Sequence, residues 1–350
     1  MKEVNVIAID IAKNVFHLVF FNSEGKTLGQ KKLKRNQLVE FFSNHQVVTI
    51  AMEACGSSHH WGRSFIELGH RVALLPPQHV KAYLRGQKND FNDARAIGEA
   101  FYHGHIRSVP VKSVEQQDEQ SFHRMRKQWM QLRGDIVRQM RSLLAENGIA
   151  LPTGITAFKR TIPLILEDAE NALSVRMRAL LHRQYERFVE VNEECAWYDH
   201  ELKRHAEKDD VCQRLIELPG FGGVVASAFK NWVGDGQQFQ CGRDASAALG
   251  IIPRQHSSGD KTRLMGITKR GNKELRSLVI HGARSVLIHA HKKSDALSQW
   301  INALVARRGK NRATVALANK LVRMAWVLVA KNEKYQLRNA SVSCAIESHA

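Results

Sequence analysis

The order of apolar runs in the first 80 residues is what most limits the fold of this chain. VNVIAIDI (4–11) and VFHLVFFN (15–22) are rich in Val, Ile and Phe and read as buried strands. The link IAKN between them is short enough to favour an antiparallel hairpin. SEGK supplies a turn into TLGQKKLK (27–34), a third strand whose lysines suit a sheet edge. The spacing then becomes helical in NQLVEFFSNH, with Asn36 as the expected cap. VVTIAME (47–53) is a fourth strand and SSHHWGRSFIELGH a helix ended by Gly69. RVALLPP is a fifth strand, stopped by Pro76 and Pro77. The expectation is an α/β domain: a three-stranded meander, then helix and strand in alternation.

Four acids stand where these segments end or break. Asp10 interrupts the first strand, Glu53 closes the fourth, and Asp90 and Asp93 open the helix in QKNDFNDARAIGEAF. A spacing of i, i+3 puts Asp90 and Asp93 on one helical face. Singly, each reads equally well as a cap or a surface acid. Together they suit a divalent cation, because hard cations take carboxylate oxygens and activate phosphodiester chemistry. A meander followed by alternating helix and strand is the ribonuclease-H-like (RuvC-like) arrangement. In that arrangement an Asp in the first strand, an acid ending the fourth and acids on a later helix meet at one point.

Charge narrows the partner. Against 34 Asp+Glu stand 52 Lys+Arg, a net +18, which suits a polyanion, with nucleic acid first. The basic residues are spread along the chain rather than gathered on one amphipathic helix, which argues against a membrane surface. No run reaches the roughly 18 apolar residues of a membrane span. The start MKEVNVIAID reads directly as strand, without a signal peptide, so a cytoplasmic protein is expected. The five cysteines are widely spaced with no C-x-x-C pair, which disfavours a disulfide framework or a structural zinc site.

From 111 to 210 the sequence is polar with apolar residues at helical spacing, read as a helical, coiled-coil region divided by Pro152, Gly154 and Pro163. LIELPGFGGVVASAF (215–229) resembles a helix-hairpin-helix turn, in which Gly220 and Gly222 let backbone amides meet a phosphate. Residues 249–271, LGIIPRQHSSGDKTRLMGITKRG, read as a loop crowded with Arg254, His256, Lys261, Arg263, Lys269 and Arg270. A serine among cations and glycines is suited to attack phosphorus, and equally to hydrogen-bond a phosphate held by the loop.

These blocks together resemble the insertion-sequence transposases that join a RuvC-like DEDD domain to a C-terminal serine domain, the recombinases guided by a bridge RNA. The likeness rests on AIDIAKNVF, AMEACGS and KNDFNDARAI, then on ELPGFGGVVA, ALGIIPRQHSSGDKTRLMGITKRGNKELRSLVIHGARS and RRGKNRATVALANKLVRMAW. It implies a RuvC-like domain at 1–110, the helical region at 111–210, a mainly helical serine domain at 211–340 and a tail at 341–350. It implies that Asp10, Glu53, Asp90 and Asp93 bind Mg²⁺ and that Ser258 is the nucleophile, with Ser257 beside it as the alternative. It also implies donor and target DNA, a guide RNA, a 5′-phosphoserine intermediate and a homo-oligomer, dimer or tetramer, with a site composed from two subunits. The expected setting is the bacterial cytoplasm, acting at the nucleoid. Two other functions compete: a Holliday-junction-type nuclease using only the acids, and a non-catalytic nucleic-acid-binding protein. The basic HSSG block opposes the first, and the presence of all four acids opposes the second.

Overall fold

A computed structural model describes residues 3–85, 87, 89–259 and 261–336. The tail expected at 341–350 lies outside the described residues. The chain forms two compact units, Met1–Gln117 and Asp118–Ala350.

The first unit is built on a five-stranded sheet. Its strands are β1 (Val6–Ile11), β2 (Val15–Phe21), β3 (Thr27–Lys34), β4 (Thr49–Glu53) and β5 (Arg71–Leu75), in the order β3-β2-β1-β4-β5. The β1–β2 and β2–β3 pairs are antiparallel, while β4 lies parallel to β1 and β5 parallel to β4. The helices are α1 (Arg35–Ser43), α2 (Ser58–Glu67), the short α3 (Pro77–Val80) and α4 (Asp90–His103). The helix expected to be capped by Asn36 instead begins two residues earlier, at Arg35, with Lys34 at the cap. The Gln37 side chain accepts the Lys34 N–H at 3.0 Å, the back-bond of a capping box.

Both faces of the sheet are covered, and strand alternation assigns each residue to a face. Ile7, Ile9, Phe16, Leu18, Ile50 and Met52 pack with Leu38 and Phe42 of α1 and with Trp61 and Phe65 of α2. Val6, Ala8, Val19, Phe21 and Ala51 pack on the other side with Ala94, Ala96, Ile97 and Ala100 of α4. The small residues let α4 lie close: a Cβ at Gly98 would sit 2.2 Å from the Phe21 ring. The same alternation sends Asp10, His17 and Glu53 to the α4 side.

Among its described residues, the second unit is helical apart from one hairpin. Its first helix, α5 (Val114–Glu146), starts just before the boundary between the units and pairs with α7 (Val175–Glu207), with α6 (Ile155–Glu167) between them. Arg126 donates to Asp199 and Arg133 to Asn192, so residue numbers rise on one helix as they fall on the other, and the pair is antiparallel. Pro163 does not divide this region as expected; it lies inside α6. Proline cannot donate to the carbonyl four residues back, and that carbonyl, on Lys159, accepts the Tyr185 hydroxyl of α7 at 3.0 Å. The helix therefore continues through the proline with its freed acceptor satisfied from outside.

The remaining helices are α8 (Asp210–Ile216), α9 (Gly223–Val233), α10 (Gly242–Ala248), α11 (Lys273–His289), α12 (Ala296–Arg308) and α13 (Lys310–Ala330). They share one core that includes Phe229, Leu249, Val279, Leu317, Leu321 and Trp326. Among the described helices α13 is long and apolar enough to cross a membrane by length and composition, although its apolar residues form no unbroken run of 18. It carries Lys320 and Arg323 between its apolar turns, and its Leu317, Ala318, Leu321, Val322 and Ala325 are buried in that core.

The main departure from the sequence reading is at 249–271. The expected loop contains β6 (Pro253–Ser258) and β7 (Lys261–Ile267), paired antiparallel with each other. Nearly every residue of the two strands is exposed, so the apolar alternation that marks a half-buried strand is missing.

Candidate metal centre and basic hairpin

Asp10 sits at the end of β1, facing α4. Asp90 is the first residue of α4 and Asp93 lies one turn further along it. The helix start is set by Asn89, whose side chain accepts the Phe91 N–H at 2.9 Å. The sheet thus presents one carboxylate and the first turn of α4 presents two, and ligand oxygens of all three lie within 4.8 Å of one another. Glu53, at the end of the adjacent β4, lies outside that set but within reach of its field. Burial raises the Asp10 carboxyl first, and the charges of Asp93, Asp90 and Glu53 push it further, up to about 6. Glu53 is raised as well, by burial and then by Asp93. Like charges held this close disfavour ionisation of all members together. A cation among them removes that repulsion, and an all-oxygen donor set suits a hard divalent ion. The residues present therefore fit a divalent metal.

His17 was not among the residues singled out for this site. Cross-strand pairing places it directly opposite Asp10. Its buried Nδ1 lies 3.5 Å from Asp90 Oδ2, an ion-pair separation without hydrogen-bond geometry, and its ring packs edge-on against Phe91 at 4.7 Å. The signal was readable in the hairpin register, since a short turn between β1 and β2 forces a residue near 17 to face Asp10.

The hairpin of the second unit carries Arg254, His256, Ser257 and Ser258 on β6 and Lys261 and Arg263 on β7. The Ser257 hydroxyl accepts from Gln255 Nε2 at 2.8 Å. Lys269 and Arg270 do not sit on the strands; they belong to the root. The Lys269 N–H donates to the Gly250 carbonyl at 3.1 Å, and Thr268 N–H to Ile252 at 2.9 Å. Arg276, buried on α11, donates to the carbonyls of Leu249 and Arg270 at 3.0 and 2.9 Å, tying together the chain entering and leaving the hairpin. Gly250 and Gly271 make this closure possible. Both have positive φ, and a Cβ at either would fall 2.1 Å or less from a carbonyl oxygen across the root.

Of the two turn glycines expected to meet phosphate, Gly220 has a packing role. Its φ is +86°, and a Cβ there would sit 2.8 Å from the Gly282 carbonyl of α11. Gly222 caps α9 and is open, with nothing within 4 Å of a Cβ position.

Comparison with known proteins adds a second kind of observation. A model described as a transposase, DEDD type of IS110, matches residues 7–148, and one described as a transposase of the IS116/IS110/IS902 family matches residues 212–299. The chain is 41% identical to the transposase for insertion sequence element IS1111A of Coxiella burnetii, over 96% of this chain and 92% of that protein. It is 39% identical to a probable family 20 transposase of Pseudomonas aeruginosa, over 94% of this chain and 98% of that one. It is 38% identical to the transposase for element IS1328 of Yersinia enterocolitica, over 94% and 97%.

Proposed function

This chain belongs to the IS116/IS110/IS902 family of insertion-sequence transposases, enzymes that cleave and transfer DNA strands, and on that premise we propose a metal-dependent serine mechanism guided by RNA. The observation that carries the reading is the convergence of Asp10, Asp90 and Asp93 in a chain whose net charge is +18. Carboxylates crowded together in so basic a chain are explained by a cation that binds them and by a polyanion that binds the rest.

Asp10, Glu53, Asp90 and Asp93 would hold Mg²⁺. When bound, the ion supplies Lewis-acid stabilisation of charge on phosphate oxygens. The nucleophile we assign is Ser258, whose attack on phosphorus leaves a 5′-phosphoserine and a free 3′ hydroxyl. Arg254, His256, Lys261 and Arg263 surround it on an exposed ribbon that a phosphate backbone can approach. Lys269, Arg270 and the open Gly222 amide extend the surface for DNA. Residues 1–110 would form the metal-binding domain, 111–210 a helical spacer and 211–340 the serine domain. Donor and target DNA, a guide RNA and further copies of the chain are the partners.

Two experiments test this. In the first, donor and target plasmids are mixed with the protein and RNA transcribed from the noncoding flank of its gene; recombination should require the RNA. In the second, cleavable DNA is run with the protein on a denaturing gel. A slow, protease-sensitive DNA band that disappears with Ser258→Ala supports serine attack. A band lost with Ser257→Ala and kept with Ser258→Ala moves the assignment by one residue. Cleavage without any adduct, dependent only on the acids, would favour the junction-nuclease reading.

A further inference from the structure

The pairing of β6 with β7 separates the two serines onto different surfaces. Residues directly opposite in an antiparallel pair share a face, and residues two apart on a strand share it too. The register pairs Ser258 with Lys261 and His256 with Arg263, so these four lie on one face. It pairs Ser257 with Thr262 and Gln255 with Leu264, which form the other. One face is a serine among an imidazole and two cations. The other is uncharged and carries Leu264, 64% exposed.

A serine hydroxyl attacking phosphorus must lose its proton. Among the described residues, the Ser257 face offers no group to take it: Gln255 is a donor to the Ser257 oxygen, and Thr262 and Leu264 have no basic atom. The Ser258 face offers one. Lys261 and Arg263 are cations with no lone pair in their charged forms, while a neutral histidine has a free ring nitrogen. We propose that His256 is the proton acceptor for Ser258. Two residues along a strand are about 7 Å apart, a span that one histidine and one serine side chain bridge together. The strand already shows such a bridge on its opposite face, where Gln255 reaches Ser257 at 2.8 Å. Lys261 and Arg263, on the same face, are placed to hold the phosphate whose charge grows as the attack proceeds.

The step balances. The Ser258 O–H bond breaks and its proton passes to the His256 ring nitrogen. The Oγ–P bond forms and the P–O3′ bond breaks, and the 3′ oxygen leaves with the bonding pair and takes a proton from water. No electrons are exchanged with a third party. When a 3′ hydroxyl later attacks the phosphoserine, its proton passes to water as the O3′–P bond forms, the Oγ–P bond breaks, and His256 returns its proton to the departing Ser258 oxygen. One residue therefore serves cleavage and rejoining.

This inference rests on the serine mechanism proposed above, and the test separates the two. Full-length protein with its flanking RNA is mixed with a synthetic duplex carrying the joined ends of its element, nicked so that the released strand diffuses away. The rate of covalent adduct formation is followed on a denaturing gel. His256→Ala should slow it about 10²–10⁴-fold while DNA binding, read by gel shift, stays within a few-fold. Added imidazole should restore part of the rate to His256→Ala, and His256→Lys should not. Gln255→Ala and Thr262→Ala, on the uncharged face, should form adduct at the wild-type rate and show that the ribbon tolerates substitution. A wild-type rate in His256→Ala overturns the proposal. So does restoration by His256→Lys, which would make the role one of charge. An adduct that survives Ser258→Ala would instead defeat the nucleophile assignment beneath it.

Discussion

Asp10→Asn should stabilise the metal-free protein while abolishing its chemistry. The structure holds the Asp10 carboxyl beside Asp90, Asp93 and Glu53 in a half-buried corner, and its affinity for a proton rises from an ordinary 3.8 to about 6. Each tenfold change in proton affinity is worth about 1.4 kcal/mol, which sets an upper bound of about 3 kcal/mol on the penalty for ionised Asp10. Asp10 is partly exposed and the Asp90 side chain more than half so, and solvent screening reduces this to about 1–2 kcal/mol. The sign follows from linkage. The folded protein holds this proton more tightly than the unfolded chain, so stability falls as pH rises from 3.8 towards about 6 and levels off above. The variant lacks the titration. Its advantage should therefore be largest at neutral pH and shrink as pH falls through that window. Thermal unfolding in chelator, with hydrogen exchange of the β1 and β4 amides to isolate the first unit, measures it. Added Mg²⁺ should narrow or reverse the difference, because only the wild type retains the full ligand set. An Asp10→Asn protein that is less stable at neutral pH in chelator, or a difference that Mg²⁺ does not alter, would refute the reasoning.

Three further outcomes follow from packing. Gly98→Ala should destabilise the first unit by about 1–2 kcal/mol, since overpacking exceeds the roughly 1 kcal/mol that helix propensity returns. Combining it with Phe21→Leu, which vacates ring space 2.2 Å from the new methyl, should recover part of the loss in urea unfolding. Tyr185→Phe should cost about 1 kcal/mol by leaving the Lys159 carbonyl unmatched beside Pro163, read as a lower urea midpoint at unchanged slope. Arg276→Met should cost about 2–3 kcal/mol by stripping the Leu249 and Arg270 carbonyls of their charged donor, and should speed amide exchange at Thr268 and Lys269 at the hairpin root.

Much of the first unit was legible because its physics is local. Val- and Ile-rich runs with short polar turns leave little choice but a meander, and the alternation that buries Ile7 and Ile9 on one side turns Asp10 to the other. The pairing of Asp90 and Asp93 was legible in helical spacing and their meeting with Asp10 in the order of strands and helices, while the structure adds that Ala94, Ala96 and Gly98 let α4 come close to the sheet. The hairpin at 253–267 was hidden because no face of it is buried. Its strands are written in Arg, Gln, His, Ser and Lys, and the glycines at 259 and 266 imitate a loop. What holds it is the root, through Arg276 and the close backbone approach at Gly250 and Gly271, and those contacts join segments that composition treats as separate. Pro163 misled for a related reason: the hydroxyl that excuses it comes from a residue 26 positions away from the freed carbonyl. His17 carries no signal of its own within the apolar run VFHLVFFN, although its partner across the hairpin is Asp10.

The central claim is that the acids of the first unit form a divalent metal centre. Manganese substitutes for magnesium at oxygen sites and reports its own binding by electron paramagnetic resonance. Titrating Mn²⁺ into the wild-type protein should fill a saturable class of sites, and Mg²⁺ should compete for it. Asp10→Asn and Asp93→Asn should each lose that class while keeping the weak background common to any protein surface. Equal Mn²⁺ binding by the wild type and both variants would contradict the account.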